Sequence, residues 1–548
     1  MESEMRCDPT RAKLLLKSQP SSGWVLGIMI SSVVVAAWML FTALGSHALW
    51  DDEAVDGLMG EAVIQTGDTG AMVGHNIMAY RNGFLLNNHR VEGQPPFVAF
   101  AAAYSMRLFG RTAWAARLPV TTFAFLGFLL LLWWIWKASP SPIFVVTLII
   151  GILCNVSLFL YSRQCHYYGI AIFCFIAIPF LYFNWGGRKL MLLLMGVCSA
   201  ILLANNYSFF LAFYACLFAD YMIWQRKVRT FSLSDLALIV LPPFLIGLAL
   251  IAWWNPFHTQ IGHRFAPDSL VQRITLFFWH WRDLNRCEML VGLLLIIAPL
   301  VAFICRDTWL KRSLFAMCIY VIGMTILSIQ PISETSVSDV RYFSALIPLF
   351  IFIEALTIRN LTTRASWLAI PLAVVAFGTN LLNGGPFLPW GTRSSIMSFA
   401  DELIQPAQDP YQSAAEWIRN NIPKDASIWV VPDNMVYPLM FHAPDAVYAW
   451  QLNPEQKEAH QFKDLPPIHF KGVTPPDFIV VFGPQVLQIR NLIQQWSHQG
   501  ENYQQVCTIN TFWKDLYRPE LFWRTFKPIT SFDINTEGVY IFKHQTIP

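Results

Sequence analysis

The sequence predicts a polytopic α-helical membrane protein that ends in a small extramembranous α/β domain. Three observations carry that expectation. Of the 548 residues 55% are hydrophobic and only 13% charged, where a soluble globular chain carries ~25%; mean hydropathy is +0.43. Apolar runs of membrane-crossing length recur up to residue 382, and basic residues gather in every second connection between them. Beyond residue 382 polar turns separate short apolar stretches.

The first run, "GWVLGIMISSVVVAAWMLFTALG", follows a tail containing Arg6, Arg11, Lys13 and Lys17. Its apolar core exceeds the ~7–15 residues of a cleavable signal peptide, so it reads as a retained signal anchor with a cytoplasmic N-terminus. Later spans are expected near 117–136, 141–161, 168–185, 190–205, 207–224, 234–254, 287–305, 313–330, 341–358 and 365–382. Lys137, "GGRK", "QRKVR", "RDTWLKR" and "RNLTTR" mark the cytoplasmic connections, giving about eleven spans and an external C-terminus. "QPPFVAFAAAYSMRLFG" is apolar but short and contains Arg107; as a span it would turn the basic loops outward. It is expected to lie in the outer interface, within a first external loop running over 47–116.

The transmembrane domain is thus expected over 1–382 and a soluble external α/β domain over 383–548. "LLNGGPFLPWG" is the break between them, with "SIWVVP" and "DFIVVFG" as strands and "PYQSAAEWIRNNI" and "PQVLQIRNLIQQW" as helices. The ten cysteines form no CxxC pair, and several lie inside apolar runs, so neither a disulfide framework nor a zinc site follows. No Walker loop, HExxH or GxSxG is present, which argues against ATP-driven transport and against serine or zinc hydrolysis. A formal net charge of +3 does not point to nucleic acid.

Chemistry concentrates where the first span ends, in "GSHALWDDEAVDGL". In a helix over 48–58, Asp52 and Asp56 share one face at i, i+4 with Glu53 beside them. Like charges so placed repel, the more so where water is scarce, and require a cation or a proton in compensation. Taken alone, such a cluster also reads as a solvated cap on the span. Arg163 in "LYSRQCHYYGI" and Arg341 in "SVSDVRYFSALIP" stand at expected outer span ends beside Tyr161 and Tyr342. A guanidinium at that depth pairs with a carboxylate, binds a phosphate, or snorkels to the interface. Carboxylates and arginines converging on one face suit a lipid-linked phosphate and a nucleophile that must lose a proton.

These elements in this order, "DDE", "QPPFVAFAAAYSMRLFG…WAARLPV", "LYSRQCHYYGI" and "RYFSALIP", resemble the polyprenyl-phosphate-sugar-dependent glycosyltransferases of the GT-C type. They are most similar to the group containing the protein O-mannosyltransferases and the lipid A aminoarabinose transferase. The resemblance covers roughly residues 20–385, with 50–168 its specific part. It implies Asp52 as the carboxylate activating the acceptor, with Glu53 orienting the site, and Arg163 and Arg341 as ligands of the donor phosphate. Arg117 matches the Arg before "LP". Many relatives have Lys before the Pro-Pro pair where this chain has Gln94, so Arg90 is the candidate to supply the missing cation. Several place an acidic residue after the second-loop Arg; here "QCH" offers His166 instead, whose bland reading is a solvated loop histidine. Tyr342 and Asp56 complete the candidate set. His258, His263 and His280 are spaced too irregularly to define a metal site, and a divalent ion remains an optional component.

The implied reaction transfers a hexosyl or pentosyl group from a polyprenyl-phosphate donor to a lipid, glycan or protein acceptor, with inversion at the anomeric carbon. The expected location is the bacterial inner membrane with an extracytoplasmic active site, or the ER membrane in a eukaryote. The competing readings are a transporter or flippase of lipid-linked saccharide and a catalytically inactive binder. A flippase would place polar residues near span centres rather than at one set of span ends. The long segment over 255–286, rich in Trp and Phe, reads as a lid or as an interfacial anchor.

Overall fold

A computed structural model of the protein describes residues 23–93, 95–138, 141–254, 269–328, 339–383, 395–498, 501–514, 517–518 and 531–545. The basic N-terminal tail, Gln94, His258, His263 and the "LLNGGPFLPWG" break from residue 384 onward therefore fall outside the described residues.

Helix α1 (Gly23–Phe41) is apolar all round and turns Trp24, Ile30 and Val34 outward, as a lipid-facing helix must. The chain then forms α2 (Asp51–Thr66), two short hairpins, and α3 (Phe97–Phe109), which packs on α2. Tyr104, Leu108 and Phe109 of α3 are exposed. This is the short apolar helix expected in the first loop, and its outward aromatics suit an interface.

Every later expected span is helical, but the number eleven is not confirmed. Among the described residues six helices are long and apolar enough to cross a bilayer, or seven with one bent pair counted as a span. These are α1, α4 (Ala113–Ala138), the helix over Tyr207–Lys227, that over Leu233–Trp253, that over Thr308–Leu327 and the segment Val340–Leu361. The bent pair is α5 (Pro142–Cys154) and α6 (Val156–Ser162), which meet at 61°. Asn155 makes the break: its side-chain oxygen accepts from Leu158 N–H at 2.9 Å, capping α6, while its amide donates to the Glu288 carbonyl at 3.0 Å. The remaining expected spans are apolar helices of 10–17 residues, below the usual ~20 of a crossing helix. They are α7 (Tyr168–Asn184), α8 (Lys189–Asn205), α12 (Gly292–Ile304) and the Ser366–Gly378 segment. Composition sees apolar runs, whereas the helix ends are set by turns such as that before Gly292, where Asn285 accepts the Gly292 N–H at 2.9 Å.

Helices α8 and α10 (Leu233–Trp253) approach closely because Gly196 has no side chain: a Cβ there would lie 2.3 Å from the Leu238 carbonyl oxygen. Small residues serve this purpose between membrane helices, where lipid supplies no hydrophobic drive for association.

The C-terminal part holds a five-stranded mixed sheet of order β6-β5-β7-β9-β8. Strands β5 (Ser427–Val431), β6 (Val447–Tyr448) and β7 (Phe478–Phe482) run parallel, and β8 (Asn502–Ile509) and β9 (Val539–Gln545) are antiparallel additions. Side chains alternate between its faces. Ile428, Val430, Val480 and Ile541 share a hydrophobic core with α17 (Pro410–Asn421), α18 (Val436–His442) and the helices of the membrane part. Val431, Ile479, Val481 and Phe542 pack instead with α19 (Val486–Ser497). Helix α18 lies directly on α2, with Phe441 against Gly57, so the sheet is docked onto the acidic helix.

Candidate active site

The acidic cluster is the first turn of α2. Asp51, Asp52 and Glu53 occupy it, where the positive end of the helix dipole favours carboxylates, and Glu53 reaches back to accept the Trp50 N–H at 3.3 Å. That local term is small, about 0.3–1 kcal/mol. It cannot hold four carboxylates together, and each has a partner from elsewhere in the chain.

Glu53, with 0% exposure, takes two hydrogen bonds from the Arg117 guanidinium at 2.9 and 2.7 Å and one from the Cys165 N–H at 2.5 Å. Arg117 spends its other donors on the carbonyls of Leu44 (3.0 Å), His47 (2.9 Å) and Ala48 (2.8 Å). One buried ion pair thus fixes the chain that leads from α1 into α2. Asp56, a turn further on, meets His166 Nδ1 at 2.5 Å. Asp52 receives Arg341 Nη1, and Arg341 is in turn ion-paired through Nε with Asp339 at 2.7 Å. Asp51 accepts from Asn434 Nδ2 at 3.0 Å, a contact from the C-terminal sheet part. The Arg518 guanidinium covers the Trp50 ring at 4.3 Å.

The adjacent carboxyls Asp51 and Asp52 are driven in opposite directions. Burial first, then the charge of Asp52, lifts Asp51 to about 7 against the pull of Arg518, Asn434 and Arg341. Burial also works against the charged form of Asp52, but Arg341, with His166 and Arg518, outweighs it and holds Asp52 below the usual carboxylate range. Such a split leaves one ionised carboxylate and one that is readily protonated side by side. Burial raises Asp56 as well, against the opposing His166 contact.

The structure therefore brings together Asp52, Glu53, Asp56, Arg117, His166 and Arg341. Tyr342 stacks face to face on Tyr167, with ring centroids 6.2 Å apart, and Arg341 lies 5.7 Å from the Tyr342 ring. Two expected phosphate ligands are engaged elsewhere. Arg163 donates to the carbonyls of Met39 (2.7 Å) and Leu40 (3.1 Å), capping the C-terminal end of α1, and lies over Phe399. Arg90 pairs with Asp68 at 2.6 Å and donates to the Trp253 carbonyl at 3.1 Å. His166, whose bland reading was a solvated loop residue, is buried. His280 bonds Thr325 at 3.1 Å within its own helix pair.

Sequence reasoning missed the second layer. Asp339 was in view, two positions before Arg341 in "SVSDVR". Asn434, Arg518 and Cys165 carry no pattern that points at the site, since they act through tertiary placement or a backbone N–H. Also missed was the buried trio His47, Glu402 and Asp409. His47 Nε2 lies 3.0 Å from Glu402 and its Nδ1 3.3 Å from Asp409. Although burial disfavours the charged imidazole, the two carboxylates push His47 up to about 9.

Among the described residues no group of three or more His, Cys, Asp or Glu is arranged to hold a metal ion. The acidic helix is compensated by the protein's own guanidinium and imidazole groups.

No family model matches the sequence, and no curated protein sequence matches it. Solved structures do match in fold. ArnT from Cupriavidus metallidurans bound to undecaprenyl phosphate aligns over 95% of this chain and 98% of its own, with a TM-score of 0.56 at 12% identity. The same protein in the apo state gives 0.55 at 13% identity over the same shares. The Archaeoglobus fulgidus oligosaccharyltransferase in complex with Zn and sulfate gives 0.47 at 10% identity, over 84% of this chain and 68% of that one. The likeness expected from the sequence is thereby found at the level of the fold: a helical, GT-C-like membrane protein with a C-terminal sheet domain.

Proposed function

We propose that this chain is a membrane glycosyltransferase that moves a sugar from a polyprenyl-phosphate donor to an acceptor hydroxyl or amine, on the extracytoplasmic side of a bacterial inner membrane. The observation that carries the reading is the contact between Asp52 and Arg341 at the mouth of the acidic helix. It sets a base and a phosphate-binding cation side by side, on a fold shared with a protein whose structure contains undecaprenyl phosphate.

In this reading Asp52 is the base because Arg341 keeps it ionised at neutral pH. The acceptor heteroatom attacks the anomeric carbon from the face opposite the phosphate as its proton passes to Asp52. The bond between the anomeric carbon and the phosphate oxygen breaks, and its electron pair leaves with the polyprenyl phosphate. The configuration inverts. Arg341, with Asp339 holding its Nε edge, neutralises charge on the departing phosphate. Glu53 and Arg117 hold α2 in place and do not touch substrate. Arg163 and Arg90 join the donor site only if the donor displaces their present contacts with the α1 carbonyls and with Asp68.

The test is transfer from a panel of radiolabelled polyprenyl-phosphate sugars in membranes containing the intact chain or Asp52→Asn at matched expression. Transfer by the intact chain that falls ~10²-fold or more in the variant, with donor binding kept, supports the reading. Equal transfer by both removes Asp52 as the base, and binding without transfer by either, given a broad acceptor mixture, favours a carrier or binder of lipid-linked saccharide.

A further inference from the structure

A second cluster of carboxylates lies away from the acidic helix, in a cavity of ≈ 20 Å³. Its walls are the Asn155 break, the turn before α12 with Glu288, the middle of α14 (Ile347–Leu361) with Glu354, the segment after α15 (Ala369–Gly378) with Asn380 and Asn383, and Ser395 at the start of α16 (Ser395–Ile404). A volume of that size holds one water-sized occupant.

Five features of this cavity go together. Glu354 is 1% exposed, and among the described residues its carboxyl accepts a hydrogen bond from the Val291 N–H at 2.6 Å. Glu288 also lines the cavity, as does Ser395, whose buried hydroxyl has no hydrogen-bond partner among the described residues. No cationic side chain among the described residues faces either carboxylate. Asn383, 7% exposed, presents an Oδ1 that lines the cavity and accepts no hydrogen bond. Finally, Glu288 stands at φ 53°, a left-handed conformation costly for a residue with a Cβ, and Asn155 holds its carbonyl there at 3.0 Å. A strained backbone that places a second carboxyl at this cavity calls for a proton or a cation to neutralise the pair, and the unpartnered Asn383 oxygen beside them, which a proton on either carboxyl does not satisfy, favours the cation.

We propose that this cavity binds one hard divalent cation, calcium by its donor set, held by the Glu288 and Glu354 carboxylates and the Asn383 amide oxygen. Glu288, Glu354, Asn380, Asn383 and Ser395 line the cavity with oxygen-bearing side chains that outnumber its single thiol, Cys154, which suits hard cations over zinc or copper. Room for a single occupant disfavours magnesium, which gives up its waters reluctantly, and favours calcium, which accepts carboxylate and amide oxygens directly. The bound ion ties the start of α16 to the turn before α12. Helix α16 carries Glu402, which grips His47 just before the acidic helix, so the site supports that helix from behind. This inference is independent of the transfer reaction.

The test uses the purified full chain, stripped with chelator and then titrated with CaCl2, MgCl2 or NaCl, with metal content and melting temperature as readouts. Retention of about one calcium per chain and a saturable rise in melting temperature that magnesium and sodium do not reproduce are expected. Glu288→Gln, which keeps the side-chain shape, should weaken calcium binding roughly tenfold or more. Asn383→Ala should weaken it as well and serves if the first variant does not fold. Asp52→Asn should leave the calcium response intact, which separates this cavity from the acidic helix. Identical melting with and without calcium and no retained metal would overturn the proposal, as would a response lost in Asp52→Asn but kept in Glu288→Gln.

Discussion

Arg341 reaches Asp52 across 289 positions of the chain, and the contact links the acidic helix to the turn that opens the Val340–Leu361 segment. Because Arg341 is what holds Asp52 ionised against its burial, removing the guanidinium should raise the Asp52 pKa. In Arg341→Gln the acid limb of the pH–activity profile should move to higher pH, on top of a loss in rate. A profile of unchanged shape with a lower plateau would mean that Asp52 does not titrate in the reaction.

The buried pair of Glu53 and Arg117 should behave differently. Arg117→Ala leaves a carboxylate with 0% exposure facing only N–H groups and frees three backbone carbonyls, which should cost about 3–5 kcal/mol. The expected readout is loss of folded protein on size-exclusion in detergent and a large fall in melting temperature. Glu53→Gln combined with Arg117→Met should recover part of that loss without restoring activity.

His47 gives the fold a pH dependence of definite sign. Its folded pKa of about 9 lies above the ordinary 6.5 of a free imidazole, so its stabilisation is complete below pH 6.5 and is lost as pH rises through about 9. The size is on the order of 3 kcal/mol. Melting temperature recorded from pH 6 to 10 should fall through that window, and the fall should flatten in His47→Gln.

Gly196→Ala tests the close approach of α8 and α10. The added methyl would sit 2.3 Å from the Leu238 carbonyl oxygen, so the helices must separate, at a cost of about 1–3 kcal/mol. A melting temperature equal to that of the intact chain would mean that the two helices are not packed this tightly.

The helical membrane part was legible because apolar runs and alternating basic loops are local signals, visible within a window of a few residues, and α2 and α3 are helices in the stretches so marked. Arg117, Arg163 and Arg341 were singled out through the family resemblance, and the structure sets Arg117 and Arg341 against the carboxylates of α2 and Arg163 against the α1 carbonyls. The count of spans was not legible, because helix ends are set by side-chain bonds that apolar runs do not show, that at Asn155 involving the Glu288 carbonyl 133 positions away and that before Gly292 the side chain of Asn285. For the same reason the partners from the C-terminal part were invisible: Asn434 and Glu402 lie hundreds of positions from Asp51 and His47. Strands β5 and β7 announced themselves as buried β-branched runs, whereas β8, polar at alternate positions on an edge, did not.

Docking of the C-terminal sheet onto α2 gives the molecule a single mechanical fate. Asn434 on Asp51, Phe441 against Gly57, and the His442 ring accepting the Leu49 N–H at 3.0 Å all span the two parts. Amide hydrogens of α2 should therefore exchange with solvent at the same opening free energy as those of β5 and β7, and a protease that cuts the sheet loose should abolish the proposed transfer without touching a single span.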